Sequence, residues 1–443
     1  MANEKLVPDA VGATSTALFT DQCELTMLAA ALADGSANRS CTFEVFARRL
    51  PNGRRYGVVA GTGRLLDALT NFRFGPDELA IVAKFLDENT VEWLRNYRFS
   101  GDIDGYREGE LYFPGSPILS VRGTFAECVL LETIALSILN HDSAIASAAA
   151  RMVSAADGRV LIEMGSRRTH EEAAPASSRA AYLAGFTATS NLESVRRYGI
   201  PGTGTSAHAF TLLHTDGSGP HETEAFRNQV ATLGVDTTLL VDTYDITEGV
   251  RLAIEVAGPK LGGVRIDSGD LGVLARQVRK QLDELGATET KIVLSGDLDE
   301  HAIAALRVEP VDSYGVGTSL VTGSGAPTAG MVYKLVEVDG VPVAKRSSHK
   351  ESKGGTKRAV RFARATGTVV EEVVYLAKNP TPTSAEFEVR ELMIPLVRHG
   401  ELVPDLPDLA AARTLVASGL TSLPWEGLKL SNGEPAVPTT YLT

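Results

Sequence analysis

Four short apolar strings, RVLIEM (159–164), TTLLVDT (237–243), GGVRIDS (262–268) and TKIVLSGD (290–297), each break into Gly, Asp or Ser before an amphipathic run. A strand with consecutive apolar residues has no solvated face, so it belongs in a parallel sheet covered by helices. The strand ends near Asp242, Asp267, Ser295 and Gly315 fall about 20 to 30 residues apart, the length of one strand-plus-helix unit. This spacing predicts an α/β fold, with a closed parallel barrel preferred over an open doubly wound sheet.

Before residue 125 the pattern differs. PNGRRYGVVAGTGR, FRFGPDEL and GDIDGYREGELYFPGSPILSVRG combine turn signals with period-two alternation, which predicts a small β-rich domain. A chain of 443 residues, 44% of them hydrophobic, has material for two or more domains with large cores. Its 55 Asp and Glu outnumber 43 Lys and Arg, a formal net charge of -12, which argues against a nucleic-acid partner. The first 30 residues lack a basic start followed by an apolar block, and no segment is expected to reach the roughly 20 apolar residues that span a bilayer. The expected location is the cytoplasm, with no membrane partner. Cys23, Cys41 and Cys128 form no CxxC pair and are expected to be ordinary thiols.

In a parallel barrel, chemistry collects on the loops leaving the C-terminal ends of the strands. RIDSGDLG places Asp267 and Asp270 on one such turn, LSGDLDE places Asp297 and Asp299 on the next, and YGVGTSL offers a glycine turn opening a helix. Backbone N–H groups there bind phosphate oxygens, and carboxylates hold the magnesium that accompanies polyphosphates; the plain alternative is that these residues only cap helices. Upstream stand Arg167 and Arg168, with Arg179 on the following helix. An arginine fork suits a carboxylate or a phosphate, although Arg168 could equally pair with Glu171 or Glu172. TATSN reads as a helix start with Ser190 as a candidate cap. GIPGTGTSAH ends in His208, whose neighbours His214 and His221 do not form HExxH, so zinc is disfavoured. Two readings of His208 stay open from residue chemistry: a satisfied core histidine, or a nucleophile toward phosphorus amid small residues.

Six segments, FTDQCELTMLAAALADG, MGSRRTHEEAAPASSRAAYLAGFTATSN, YGIPGTGTSAHAF, LLVDTYDITEGV, RIDSGDLG and YGVGTSLVT, fall in that order across residues 18–323. Together they resemble the nicotinate phosphoribosyltransferase family, with details like its actinobacterial members. The resemblance implies an incomplete or irregular (β/α) barrel, residues 126–354, beside a mixed α/β domain built from both chain ends, residues 1–125 plus 355–443. It implies a ligase-class enzyme that transfers phosphoribosyl from 5-phosphoribosyl 1-diphosphate to nicotinate with ATP as co-substrate and Mg2+ as cofactor. The product would be nicotinate mononucleotide, in NAD salvage, and the protein a homodimer with shared active sites. His208, in GT-x-A-H, is implied as a transient phosphohistidine, with Asp267 and Asp297 as catalytic carboxylates beside the cationic sugar and as Mg2+ ligands. Arg265, Gly296, Asp297, Gly317 and Thr318 are implied around phosphoribosyl diphosphate, and Arg167, Ser190, Met164 and Cys23 around nicotinate.

Two positions depart from the family pattern. Cys23 stands where the N-terminal motif usually has a tyrosine that stacks on the pyridine across the dimer, and Met164 stands where Phe usually precedes Gly-x-Arg. Ring stacking, about 0.5–1.5 kcal/mol beyond burial, is weakened there, with the Met164 thioether as a partial substitute. Ser190 stands where nicotinamide-specific relatives carry aspartate, which would repel a carboxylate. Other readings are a nicotinamide or quinolinate phosphoribosyltransferase, which Ser190, the chain length and His208 oppose. A further one is a catalytically silent protein that binds phosphoribosyl diphosphate or a nucleotide, which the joint presence of Arg265, Asp267, Asp297 and His208 opposes. The basic segment 344–362 reads either as a phosphate-binding loop or as a solvated face.

Overall fold

The computed structural model describes residues 14–345 and 352–442. Six strands, Val160–Glu163, Ala188–Thr189, Thr238–Leu240, Gly263–Ile266, Lys291–Leu294 and Ser313–Val316, pair in parallel in the spatial order third, fourth, fifth, sixth, first, second. The helices Ile246–Ala257, Leu271–Glu284 and Glu300–Leu306 follow the third, fourth and fifth strands. Val250, Ala253, Ala275, Val278, Leu282 and Ile303 on these helices share one buried cluster with Val264, Ile266, Ile292 and Leu294 of the strands.

The sheet curls without closing, which corrects the closed barrel suggested by repeat length and agrees with the incomplete one. Thr238–Leu240 and Ala188–Thr189 are edge strands that do not pair with each other. The free edge of Thr189 is taken by a loop instead: Thr189 bridges Gly202, and Thr203 N donates to the Thr189 carbonyl at 2.9 Å. A backbone edge occupied by a loop has no groups left for another strand. The gap thus holds the small-residue loop that leads to His208.

The second domain centres on an antiparallel sheet ordered Val341–Pro342, Met331–Val338, Ser40–Ala47, Leu119–Thr124, Asp102–Tyr106, Met393–Arg398 and Glu401–Leu402. Both chain ends contribute. Met331–Val338, which lies within the span 126–354, pairs along Ser40–Ala47. A smaller sheet of Glu388–Glu391, Lys357–Ala363, Val369–Leu376 and Thr439–Leu442 closes over Val360, Phe362, Val373 and Tyr375. It is pinned by the buried Glu110, Arg361 and Glu372: Arg361 donates to both carboxylates, and the exposed Arg390 bonds Glu110 with both terminal guanidinium nitrogens.

The helical stretch Phe125–Ala156 joins the domains. It is long and apolar enough to cross a membrane by length and composition, contrary to the expectation that no segment is, yet its most apolar window is 67% buried inside the fold. Its first half, with Leu131, Ile134 and Leu139, packs into the antiparallel core; its second half, with Ile145, Ala149 and Ala156, packs into the barrel core. Alanines and serines on this helix admit close approach. The hydroxyls of Ser143 and Ser147 accept the backbone N–H groups of Ala60 and Val58.

In the basic segment 344–362, residues 346–351 lie outside the described residues. Lys357 is buried against Glu44 at 2.8 Å, and Arg361 belongs to the buried network above. Neither side chain is available to a phosphate.

Candidate active site

Each parallel strand ends one to three residues before a polar side chain, and these ends share one rim. Asp242 follows Thr238–Leu240, Asp267 follows Gly263–Ile266, Ser295 to Asp297 follow Lys291–Leu294, and Gly317 and Thr318 follow Ser313–Val316. The turn Ser166–Arg168 follows Val160–Glu163, and Ser190 follows Ala188–Thr189.

Asp242 ties the rim together. Its Oδ2 accepts the Asp267 backbone N–H at 2.9 Å and the Ser268 hydroxyl at 2.7 Å, while its Oδ1 is buried with no hydrogen-bond partner among the described residues. That orphaned oxygen lies 3.9 Å from His208 Nε2. On the other side of the ring, His208 Nδ1 is 3.1 Å from the Thr243 hydroxyl. At that distance the carboxylate acts on the ring through its charge rather than through a hydrogen bond. The His208 side chain is 39% exposed, which removes the core-histidine alternative. The sequence marked Asp242 only as a strand end; its signal was the recurrence of Asp at that point in successive units.

Arg265 points from its strand toward the loop in the gap and donates to Thr205 Oγ1 at 2.7 Å. Burial lowers its pKa and the nearby Arg167 guanidinium adds to this, while Asp267 and Asp242 oppose both. Its Nε is buried and unpartnered. Asp267 accepts from Ser295 Oγ. Beside it, Gly296 has φ +102, and a Cβ there would stand 2.3 Å from the Asp267 carbonyl; Asp297 follows at φ 40. Two left-handed residues in succession fold this turn back against its neighbour, a conformation that persists where structure over-determines it.

Arg167 and Ser190 are exposed on neighbouring strand ends. Ser190 is not the helix cap: Asn191 accepts from Ser194 N and starts Leu192–Tyr198. Met164 lies over Gly315, where a Cβ would meet its sulfur at 2.5 Å. Arg168 pairs with neither Glu171 nor Glu172, whose neighbours are His170 and Arg197 at 3.8 Å. Arg179 is committed to a bidentate pair with Glu108 of the antiparallel domain, at 2.6 and 2.7 Å. Asp270 and Asp299 cap their helices, the plain reading of those two residues. Cys23 is exposed at the start of Gln22–Asp34 and lines a cavity of about 380 Å³ with Asp21, Glu24, Glu132, Thr133 and others, none of them from the rim. Among the described residues no group of three or more His, Cys, Asp or Glu is arranged to hold a metal by itself.

The nicotinate phosphoribosyltransferase (NAPRTase) N-terminal domain model matches residues 18–140, and the nicotinate phosphoribosyltransferase (NAPRTase) family model matches residues 160–372. Nicotinate phosphoribosyltransferase pncB1 of Mycobacterium tuberculosis is 71% identical over 425 residues, covering 95% of this chain and 94% of the relative. The chain belongs to the nicotinate phosphoribosyltransferase family. A second relative in that family, pncB2 of the same organism, is 38% identical over 93% of this chain and 88% of its own length. The crystal structure of human nicotinic acid phosphoribosyltransferase superposes with a TM-score of 0.82 at 27% identity, covering 95% of this chain and 97% of that one. The incomplete barrel with its second mixed domain is therefore the architecture this family shares with the human structure.

Proposed function

We propose that the chain joins nicotinate to 5-phosphoribosyl 1-diphosphate, giving nicotinate mononucleotide and diphosphate in NAD salvage in the cytoplasm, and that it couples this to hydrolysis of ATP through His208. Family membership supports the transfer. The observation that carries the coupling is His208 half-exposed between the Thr243 hydroxyl and the orphaned Asp242 oxygen.

In the transfer, the nicotinate ring nitrogen forms the bond to C1 of the sugar as the C1–O bond to diphosphate breaks. That nitrogen carries a lone pair, so no base is needed, and the barrier lies in the charge that develops on the sugar and the leaving group. Arg265 is placed for the diphosphate, with backbone N–H groups at Gly317 and Thr318 and on the Gly296 turn. Asp267 and Asp297 face the cationic sugar. Their carboxylates on adjacent loops suit Mg2+, which binds through one or two carboxylates plus substrate phosphates; when bound it would neutralise charge on the diphosphate. Arg167 meets the nicotinate carboxylate, with Ser190 adding no competing charge. In the coupling step a ring nitrogen of His208 attacks the terminal phosphorus of ATP, the P–O bond to ADP breaks, and water later removes the phosphoryl group.

A homodimer completes the site. Leu18, Phe19 and Met27 are exposed near Cys23, and Leu192, Leu212 and Leu213 are exposed beside the open edge of the barrel. Pairing the first patch with the second on a two-fold partner buries both and carries Cys23 toward the partner's nicotinate pocket.

Incubation with ATP labelled at the γ-phosphate tests the coupling. The expected result is an acid-labile, alkali-stable label that H208A abolishes, with slow ATP-independent transfer retained. D242N should reduce the labelling rate by about tenfold or more by removing the negative charge beside the ring. A folded H208A protein that still hydrolyses ATP in step with product formation would overturn the reading.

A further inference from the structure

A single buried carboxylate lies beneath both segments that face nicotinate. Glu163 ends the strand Val160–Glu163 at 1% exposure. Its hydrogen-bond partners are donors only, with no arginine or lysine among them. Oε1 accepts the Gly165 N–H, and Oε2 accepts the Ser178 hydroxyl at 2.8 Å and the Thr189 hydroxyl. Burying an ionised carboxylate is costly unless its oxygens are bonded, and an apolar side chain would fill the same space more cheaply. The placement of its three donors gives this carboxylate a use.

Gly165 opens the turn that carries Arg167, Ser178 stands on the helix Ala174–Ala184 that follows it, and Thr189 precedes Ser190. The Glu163 carbonyl also accepts Ser190 N at 2.9 Å. Beyond the carboxylate, Thr189 Oγ1 accepts Asn191 N at 2.9 Å and Asn191 Nδ2 reaches Ser166 Oγ at 3.0 Å. The turn has no slack in which to move: a Cβ on Gly165 would meet Val321 at 2.2 Å and Glu163 Oε1 at 3.0 Å.

We propose that Glu163 is a positioning residue whose carboxylate fixes Arg167 relative to Ser190, and thereby the discrimination between a pyridine carboxylate and the corresponding amide. This rests on the reading that Arg167 meets the nicotinate carboxylate. Aspartate is one methylene too short to hold Gly165 and Thr189 together. Glutamine keeps the length: its carbonyl takes the Gly165 N–H and its NH2 donates to Thr189, whose hydroxyl turns to Ser178 Oγ at 3.1 Å.

The test is steady-state kinetics of E163D, E163Q, T189V and R167A with nicotinate and nicotinamide, with phosphoribosyl diphosphate KM and His208 labelling measured alongside. E163D and T189V are expected to raise KM for nicotinate by about tenfold, the scale of a sub-ångström misplacement, and to lower the nicotinate-to-nicotinamide ratio of kcat/KM. KM for phosphoribosyl diphosphate and the labelling should stay within about twofold, and E163Q should stay near wild type. An unchanged nicotinate KM in E163D and T189V, or a proportional rise for both substrates, would overturn the proposal. R167A separates the two ideas. If it leaves nicotinate KM unchanged, the reading of Arg167 fails; if it raises KM while E163D and T189V do not, only the positioning role fails. T189V, nearly isosteric, carries the test if E163D does not fold.

Discussion

Side chains around the rim act through a few unsatisfied atoms. Asp242 spends one oxygen on the next loop and keeps the other 3.9 Å from His208 Nε2, so one carboxylate both builds the rim and places negative charge beside the imidazole. Behind it Glu222 is buried, its Oε1 unpartnered. Burial first, then the charges of Glu248, Asp242 and Asp245, push its pKa from 4.5 up to about 7. Because the folded value is the higher one, the folded protein binds this proton more tightly. The associated stability is fully present below pH 4.5 and is lost as pH rises through about 7. E222Q keeps the neutral shape, so it should raise Tm at pH 8 and leave Tm at pH 4.5 close to wild type. A Tm difference from wild type that is equal at the two pH values would show that Glu222 does not titrate in this range.

At the scale of elements, the turn after Lys291–Leu294 shows how backbone geometry places chemistry. Gly296 at φ +102 lets the chain pass within contact of the Asp267 carbonyl, and Asp297 follows it on the same turn. G296A would force a Cβ to 2.3 Å from that carbonyl in a conformation that costs an L-residue about 1–3 kcal/mol. The expected outcome is a Tm loss together with a rise in KM for phosphoribosyl diphosphate, while ATP labelling of His208 survives. Loss of labelling to the same degree would mean that the two loops do not work as separate units.

For the whole molecule, the proposed homodimer rests on two exposed apolar patches, one at the start of the second domain and one beside the open edge of the barrel. Phe19 is 66% exposed and Leu213 is 74% exposed, large apolar areas for a monomer to leave in water. F19D should shift the protein toward monomer in sedimentation velocity and reduce nicotinate transfer by about tenfold or more, since on the proposed dimer the pocket loses the partner's wall around Cys23. Full transfer by an F19D monomer would show that one chain holds a complete site. Within the chain, the helix Phe125–Ala156, buried in both cores, and the Arg179–Glu108 pair join the barrel to the second domain.

Sequence alone was enough for the parallel strands and their rim, because apolar runs ending in Asp or Gly are set by local burial and turn chemistry. Arg167, Asp267 and Asp297 drew attention for the same reason, standing at turns after strands, whereas Arg265 came only from the family resemblance and residue chemistry left His208 between two readings. Tertiary structure decided the rest. Whether the barrel closes depends on a loop capturing Thr189, a pairing between residues distant in the fold that no repeat length encodes. Whether Arg179 binds a ligand depends on Glu108 reaching it from another domain. Glu163 looked like one more strand residue and Asp242 like a strand terminus. Their roles arise from donors on separate segments, brought within hydrogen-bond distance only when the chain is packed. Local pattern sets which face a residue occupies; long-range packing sets which partner it meets there, and in this protein the partner decides the function.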